Sequence, residues 1–348
     1  MRVAVGMSGG VDSSVCALLM KEAGHEVIGI TLRFHQVCDA DGLRVCCSPE
    51  DVRDAVRVSQ HLGIPHLTLS WEEVFEKRVI EYFLRETLKG KTPNPCAVCN
   101  REVKTGFLAE YLHKVAHIDR LATGHYARIV EYKGRRLIAR AKDQRRDQSY
   151  FLSLVRAEHL ELLEFPLGER TKEEVRLIAK EKGLPVWDKR DSQDVCFLMG
   201  KTPGEFVEER VGSKDGYFYF EGKPVGRQRG FFHYTVGQRK GLGISLGFPV
   251  YVCGIDPEAN AVHLCREEDL YRDWLILEDI NFHLELSLWQ KPTAQIRYRN
   301  QPVPVEDIEK TEKGYKVKFS KQVRGITPGQ VCAFYEGDLL LGGGIIKE

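Results

Sequence analysis

No run of 18 apolar residues occurs in this chain, so no segment of it is expected to cross a membrane as a helix. Strand-like residues begin at Arg2 and a glycine pair arrives by residue 9, which leaves no room for a leader, so a cytoplasmic protein is expected. An excess of one charge is also lacking. The 51 Lys and Arg stand against 50 Asp and Glu, a net charge of +1, which excludes a polycation of the histone kind. There is no internal repeat and no low-complexity segment. Ten cysteines are present but no second C-x-x-C pair, which argues against a zinc knuckle. Without an export signal these thiols are expected to be reduced.

What is present is 348 residues, 43% of them apolar, enough for two or three domains with cores of their own. The apolar pattern predicts a strand over 3–7, a helix over 12–23 ended by Gly24, and a strand over 26–34. A helix over 49–62 with Ser48 as its cap and a strand over 65–69 follow. Strands that alternate with helices in this way imply a parallel sheet covered on both faces, which binds ligands at its carboxyl edge. Further helices are expected over 72–88 and 101–116, separated by the loop KTPNPCAVCN. A strand over 121–123 ends in Gly124-His125, and a helix over 171–183 opens with a capping box of Thr171 and Glu174. Past Cys196 helical spacing fades; residues 205–270 read as strands and turns, and strands over 294–298, 314–319 and 331–335 read as a small barrel or sandwich. The fold class is therefore α/β. A doubly wound parallel-sheet nucleotide domain (1–200) is followed by a small central domain (201–272) and a C-terminal β-barrel (273–348).

Charge is uneven locally. KGRRLIARAKDQRRDQ, residues 133–148, holds seven Lys or Arg against two Asp, and GRQRGFFHYTVGQRKG, residues 226–241, holds four and no acid. Basic stretches with interleaved aromatics suit a phosphate backbone with unstacked bases, although a solvated loop has the same composition.

The stretch Ser8-Gly9-Gly10-Val11-Asp12-Ser13-Ser14 lies between the first strand and the first helix, where free backbone N–H groups and the positive helix end meet an anion. Its glycines let the backbone approach closely and its serines offer hydroxyl donors. Asp12 beside phosphate calls for an intervening cation such as Mg²⁺. The stretch lacks the lysine of a Walker loop. SGGVDSS resembles the pyrophosphate loop of the ATP pyrophosphatase (PP-loop) superfamily, whose members cut ATP between the α and β phosphates and adenylate a substrate oxygen. The missing lysine agrees with this, since no γ-phosphoryl is moved. The superfamily also contains amide-forming ligases, so the loop alone leaves the substrate open.

The cysteines narrow it. PNPCAVCN places Cys96 and Cys99 in a Pro-punctuated loop, and Cys196 follows a polar stretch, whereas Cys16 and Cys332 lie in apolar runs. Cys46-Cys47 and Cys253/Cys265 read as structural. Together with CCSPEDVRDA (46–55), ATGHYAR (122–128), DQSYFL (147–152), DSQDVCF (191–197) and YTVGQRKGLGI (234–244), these stretches resemble the bacterial tRNA-uridine 2-sulfurtransferases, the MnmA/TrmU thiouridylases, from end to end and in order.

The resemblance implies ATP-dependent 2-thiolation of the wobble uridine of tRNA, with Lys, Glu and Gln isoacceptors as substrates and a cysteine desulfurase or relay protein as sulfur donor. It implies Asp12, Cys99 and Cys196 as catalytic, with the persulfide on Cys196 and Cys99 as its partner. Gly6, Met7, Ser8, Gly9, Gly10, Val11, Asp12, Ser13, Leu32 and Gly124 would bind ATP with Mg²⁺. His125, Arg146, Asp147, Gln148, Tyr298, Arg299 and Gln330 would contact tRNA, although Tyr298 also reads as barrel packing and Gln330 as a turn residue. The family commonly has Asp where this chain has Cys96. Three thiolates, Cys96, Cys99 and Cys196, would suit a [4Fe-4S] cluster with one open iron, and this alternative stands beside persulfide transfer. Persulfide transfer is preferred, because Cys99 and Cys196 suffice for it. A rival outside enzymes is an RNA-binding protein with structural zinc.

Overall fold

The computed structural model describes residues 1–34, 49–191 and 195–348; Ser48, Cys46-Cys47 and the Ser-Gln-Asp before Val195 lie outside the described residues. Strands β1 (Arg2–Gly6), β2 (Glu26–Arg33), β3 (His66–Ser70) and β4 (Arg120–Thr123), with the two-residue strand Leu163–Glu164, form one parallel sheet. Its order is β3-β2-β1-β4 and then Leu163–Glu164. Val3, Ala4 and Val5 of β1 are fully buried, as a central strand covered on both faces requires. Helices α1 (Val11–Glu22) and α2 (Pro49–Leu62) follow β1 and β2. Gly24 ends the first helix with φ +79°, a conformation that favours glycine.

The expected loop around the first thiol pair is shorter than the sequence reading had it. Asn94 Oδ1 accepts the Ala97 N–H at 3.1 Å and Pro95 takes the first helical position, so a helix starts there and runs through Pro95–Cys99, Asn100–Phe107 and Leu108–Lys114 with π spacing in its middle section. Cys96 and Cys99 thus sit on a helix, one turn apart, rather than in a loop. Asn-Pro signals a helix start as well as a turn, and burial of the apolar face that follows decides between them.

The region after Cys196 holds a helix that the pattern did not reveal, Pro203–Val211, opened by a capping box of Thr202 and Glu205. Beside it a four-stranded sheet runs in the order Tyr251–Asp256, Ala261–Cys265, Gly216–Phe220, Lys223–Gln228. The last six strands close a barrel. Tyr271–Phe282, Gly314–Arg324, Val303–Thr311, Thr293–Gln295, Val331–Glu336 and Leu339–Ile346 pair in turn, and the last pairs again with the first. The hairpin Ala127–Tyr132 with Arg135–Arg140 reaches from the nucleotide-sheet region to this barrel, where Ala139 pairs with Leu339. One apolar cluster is continuous through Phe83 and Phe197, Phe206 and Phe218, and Val331 and Tyr335, so all three regions share core. Among the described residues no helix is long and apolar enough to cross a membrane.

Candidate active site

The strand order reverses between β1 and β4, and the Ser8–Ser14 stretch leaves β1 at that crevice. Gly10 is the N-cap of α1 and no side chain caps it, so first-turn N–H groups point at the crevice. Gly9 has φ +70°, and a Cβ there would collide with the Asp51 carbonyl. Gly124, just past β4, is as confined: a Cβ would stand 3.0 Å from the Asp12 carbonyl carbon and Ser13 N. The serines are committed differently from expectation. Ser14 Oγ donates to Gly10 O at 2.7 Å, and Ser13 Oγ accepts Ser8 N–H at 3.1 Å while lying 3.2 Å from Gly10 O. These hydroxyls shape the loop, leaving backbone N–H groups as its main anion donors.

Two lysines that the sequence reading missed complete the cradle. Lys172 Nζ lies 2.7 and 2.8 Å from the two oxygens of Asp12 and 2.8 Å from Asp191, with its side chain only 6% exposed. Tyr126 donates its hydroxyl to Asp12 at 2.9 Å. Asp191 also meets Arg176 at 2.8 Å and Arg146 at 3.2 Å. Burial alone would raise the Asp191 pKa, but the bond to Lys172 and the charges of Lys172, Arg176 and Arg146 hold it below the usual carboxylate range. Lys189 Nζ bonds Gly9 O at 3.0 Å, Asp51 at 2.7 Å and Asp54 at 2.6 Å. Burial opposes its charge, yet the two carboxylates raise its pKa. Lys172 thus sets an ammonium of the protein itself against Asp12. The one sequence signal for it was the capping box of Thr171 and Glu174, which places Lys172 at the head of its helix.

Cys99 and Cys196 pack on the apolar cluster that also takes in Ala4, Ile30 and Leu121 of the sheet. Cys99 is 5% exposed, and burial pushes its thiol up to about 11, a shift that the Lys104 charge opposes and Cys96 reinforces. Cys196 is half-buried and packs against the same apolar cluster that holds Cys99. Its neighbour Phe197 is locked between Phe75, Phe83 and Phe206, with ring centroids 6.1, 5.3 and 5.0 Å away. Among the described residues no three His, Cys, Asp or Glu side chains stand close enough together to hold a metal ion, so Cys96, Cys99 and Cys196 do not form an iron-sulfur ligand set. Cys16 and Cys332 are fully buried, and Cys265 is buried beside the half-buried Cys253.

The expected RNA contacts divide. His125 Nδ1 lies 2.7 Å from Thr123 Oγ1, and burial with the nearby Lys104 charge pushes its pKa down to about 3, so the ring is neutral. Arg146 and Arg299 are exposed enough to reach a phosphate. Asp147 is not: its carboxylate is buried and accepts from Ala141 N at 3.0 Å, Ser149 Oγ at 2.8 Å and Arg140 at 3.0 Å. It shapes the turn that carries Arg146 and Gln148. Gln148 Oε1 accepts Tyr126 N–H at 2.9 Å. Tyr298 packs on Phe151, centroids 4.5 Å apart, and Phe151 O accepts from Asn100, the residue after Cys99. Gln330 Nε2 donates to Thr92 O at 2.8 Å, tying the barrel to the start of the thiol segment. Leu32 is buried in the core of β2.

Three family descriptions match the chain in series. A tRNA methyl transferase HUP domain covers residues 1–200, a tRNA methyl transferase PRC-barrel domain residues 204–266, and an aminomethyltransferase β-barrel domain residues 272–346. The tRNA-specific 2-thiouridylase MnmA of Aquifex aeolicus (strain VF5) is 63% identical over 353 residues, covering 100% of this chain and 99% of that protein. The proteins of the same name from Persephonella marina (strain DSM 14350 / EX-H1) and Hydrogenobaculum sp. (strain Y04AAS1) are each 46% identical. The first match spans 99% of this chain and 100% of that protein, the second 100% of both. The relatives are named for thiolation rather than methyl transfer, and the loop and thiols agree with them. Identity of 63% along essentially the whole of both chains places this protein in the tRNA-specific 2-thiouridylase family.

Proposed function

We propose that the protein uses ATP to replace the C2 oxygen of a tRNA wobble uridine by sulfur, with Cys196 carrying the sulfur as a persulfide. One chain of contacts supports this above all. Gly124 touches the phosphate loop at Asp12 and Ser13, His125 follows it, and the Lys104 charge acts on both His125 and Cys99. Phosphate cradle and neutral imidazole are therefore adjacent, and one ammonium influences both the imidazole and the thiol.

In this mechanism the N-terminus of α1, together with Lys172 and Lys189, holds the ATP phosphates. Mg²⁺, with Asp12 as its protein ligand, would add countercharge to the leaving pyrophosphate. The uridine O2 attacks the α-phosphorus, pyrophosphate departs, and C2 then carries an AMP leaving group. His125, neutral and flat, suits contact with an extracted base. Sulfur reaches C2 by either of two balanced routes. The terminal persulfide sulfur attacks C2, expels AMP, and is freed when Cys99 attacks the Cys196 sulfur. Alternatively, Cys99 attacks first and releases hydrosulfide, which then displaces AMP. Both routes form a Cys99–Cys196 disulfide, so each turnover consumes a dithiol reductant and a new sulfane sulfur from a donor protein. Lys, Glu and Gln isoacceptors are the proposed tRNAs, Arg146 and Arg299 their phosphate contacts, and 1–200, 201–272 and 273–348 the domain division.

The test is nucleoside analysis of tRNA from cells lacking the protein. 2-Thiouridine derivatives should vanish from the wobble position, return with the native chain and stay absent with Cys196→Ser. Unchanged 2-thiouridine in the deletion strain would refute the proposal.

A further inference from the structure

The second basic stretch, residues 226–241, takes no part in the phosphate loop or the thiol pair. It lines a cavity of about 680 Å³ whose walls include Thr202, Arg227, Arg229, His233, Gln238 and Asp215. That volume lies within the range of pockets that enclose small ligands, ~300–1,000 Å³. Arg227 and Arg229 are exposed, and among the described residues neither forms an ion pair. Of the nearby acids, Glu205 is turned back to the Thr202 N–H and Glu208 faces His233, which leaves Asp215 on the wall.

His233 is the unusual member. Its side chain is 1% exposed, Nε2 lies 3.3 Å from Glu208, and Nδ1 has no hydrogen-bond partner. Burial, with the Arg229 charge, lowers its pKa against the pull of Glu208, so the ring offers one donor and one acceptor. A buried polar group left unpaired destabilises the empty site, a cost that a ligand with a complementary edge removes. The ring packs so closely on Gly204 that a Cβ there would collide with it. The cavity also borders the thiol segment. Thr235 on its wall lies 3.4 Å from Thr92 Oγ1, and Thr92 is the residue whose carbonyl Gln330 holds, shortly before Cys96.

We propose that this cavity receives an unpaired nucleotide of the RNA next to the target uridine, its phosphate on Arg227 and Arg229 and its base edge on the His233 imidazole. Single-stranded RNA is recognised in this way, by phosphate contacts that position and base edges that specify. The inference rests on the reading that the protein thiolates tRNA, and it adds a specificity site to that reaction.

The test uses the full-length protein and a synthetic anticodon stem-loop. Arg227→Ala/Arg229→Ala should weaken stem-loop binding at least tenfold and flatten the log-log salt slope by about 1.4, or ~0.7 for each lost phosphate contact. AMP formation at saturating RNA should stay unchanged. Stem-loops with a single abasic nucleotide on either side of the target uridine then probe the base contact. The native chain should lose affinity at one of the two positions, and His233→Ala should lose nothing further there, as coupled contacts require. The arginine variant and the abasic series on native protein keep the test valid if His233→Ala misfolds. Native binding by the arginine variant, or equal affinity for both abasic stem-loops, overturns the proposal, as does saturation of the cavity by free UMP without competition from RNA. A native chain that binds and thiolates the stem-loop while the arginine variant matches it removes only this site. A native chain that does neither removes the tRNA reading as well.

Discussion

Lys172 holds both carboxylate oxygens of Asp12, at 2.7 and 2.8 Å, from 160 positions further along the chain. A phosphate loop without a lysine of its own thus receives one from a distant helix. The contact neutralises a carboxylate that would otherwise repel the anion it faces.

Lys172→Met should lower tRNA-dependent AMP formation by on the order of 100-fold, the scale of losing one charge-stabilising group, while tRNA affinity stays within about twofold. Lys172→Arg should recover part of the rate, and Asp12→Ala should abolish AMP formation with tRNA binding intact. AMP production close to native in Asp12→Ala would remove that residue from the site.

Cys99 should resist alkylation in the folded protein at pH 7, because a thiol pushed up to about 11 is almost wholly protonated there. Its labelling rate should climb about tenfold per pH unit on the way to that value. Cys99→Ser and Cys196→Ser should each lose thiolation and keep AMP formation; mass spectrometry of labelled peptides and a nucleoside assay check the two parts.

Cys96→Asp should keep aerobic thiolation with a persulfide donor supplied, in iron-free protein. The ligand geometry leads to this, since the three cysteines do not assemble into a cluster site. Activity that appears only after cluster reconstitution and disappears in the variant would reverse the assignment.

Binding of tRNA should weaken with salt, and Arg146→Ala and Arg299→Ala should each reduce the log-log slope by ~0.7. Arg135, paired with Glu285 at 3.0 Å as Arg146 is with Asp191 at 3.2 Å, should reduce the slope as well. A slope unchanged by both variants would assign these arginines to solvated surface.

Stability should fall as the pH drops below about 6.5. His125, pushed down to about 3, stays neutral in the folded state while the unfolded chain takes up a proton near its ordinary value. The contribution is complete above about 6.5 and is lost progressively towards 3. Burial shifts His66, His233 and His283 the same way, so His125→Gln should flatten only part of the decline in melting temperature between pH 7 and 5. A variant with an undiminished decline would contradict the burial of His125.

The elements legible in the sequence are those whose signals are local. A buried run before Ser8-Gly9-Gly10 and helical spacing after it specify strand, turn and helix N-terminus without help from the rest of the chain. Thr171 and Glu174 cap a helix through their own backbone, and three of the six barrel strands stand out as short runs between turn residues. Tertiary structure alone decided the remainder. Asn94-Pro95 opens a helix because Ala97, Val98 and Cys99 find a core to bury against, and that burial turns an expected accessible thiol into one with a raised pKa. The basic hairpin at Ala127–Arg140 joins the barrel through pairing with a strand some 200 residues later, which no local pattern encodes. Lys172 and Lys189 reached the phosphate loop by the same means. Local propensity acts over a turn or two of chain, whereas charge pairing and desolvation act through space and depend on which distant residues the fold brings within a few ångströms.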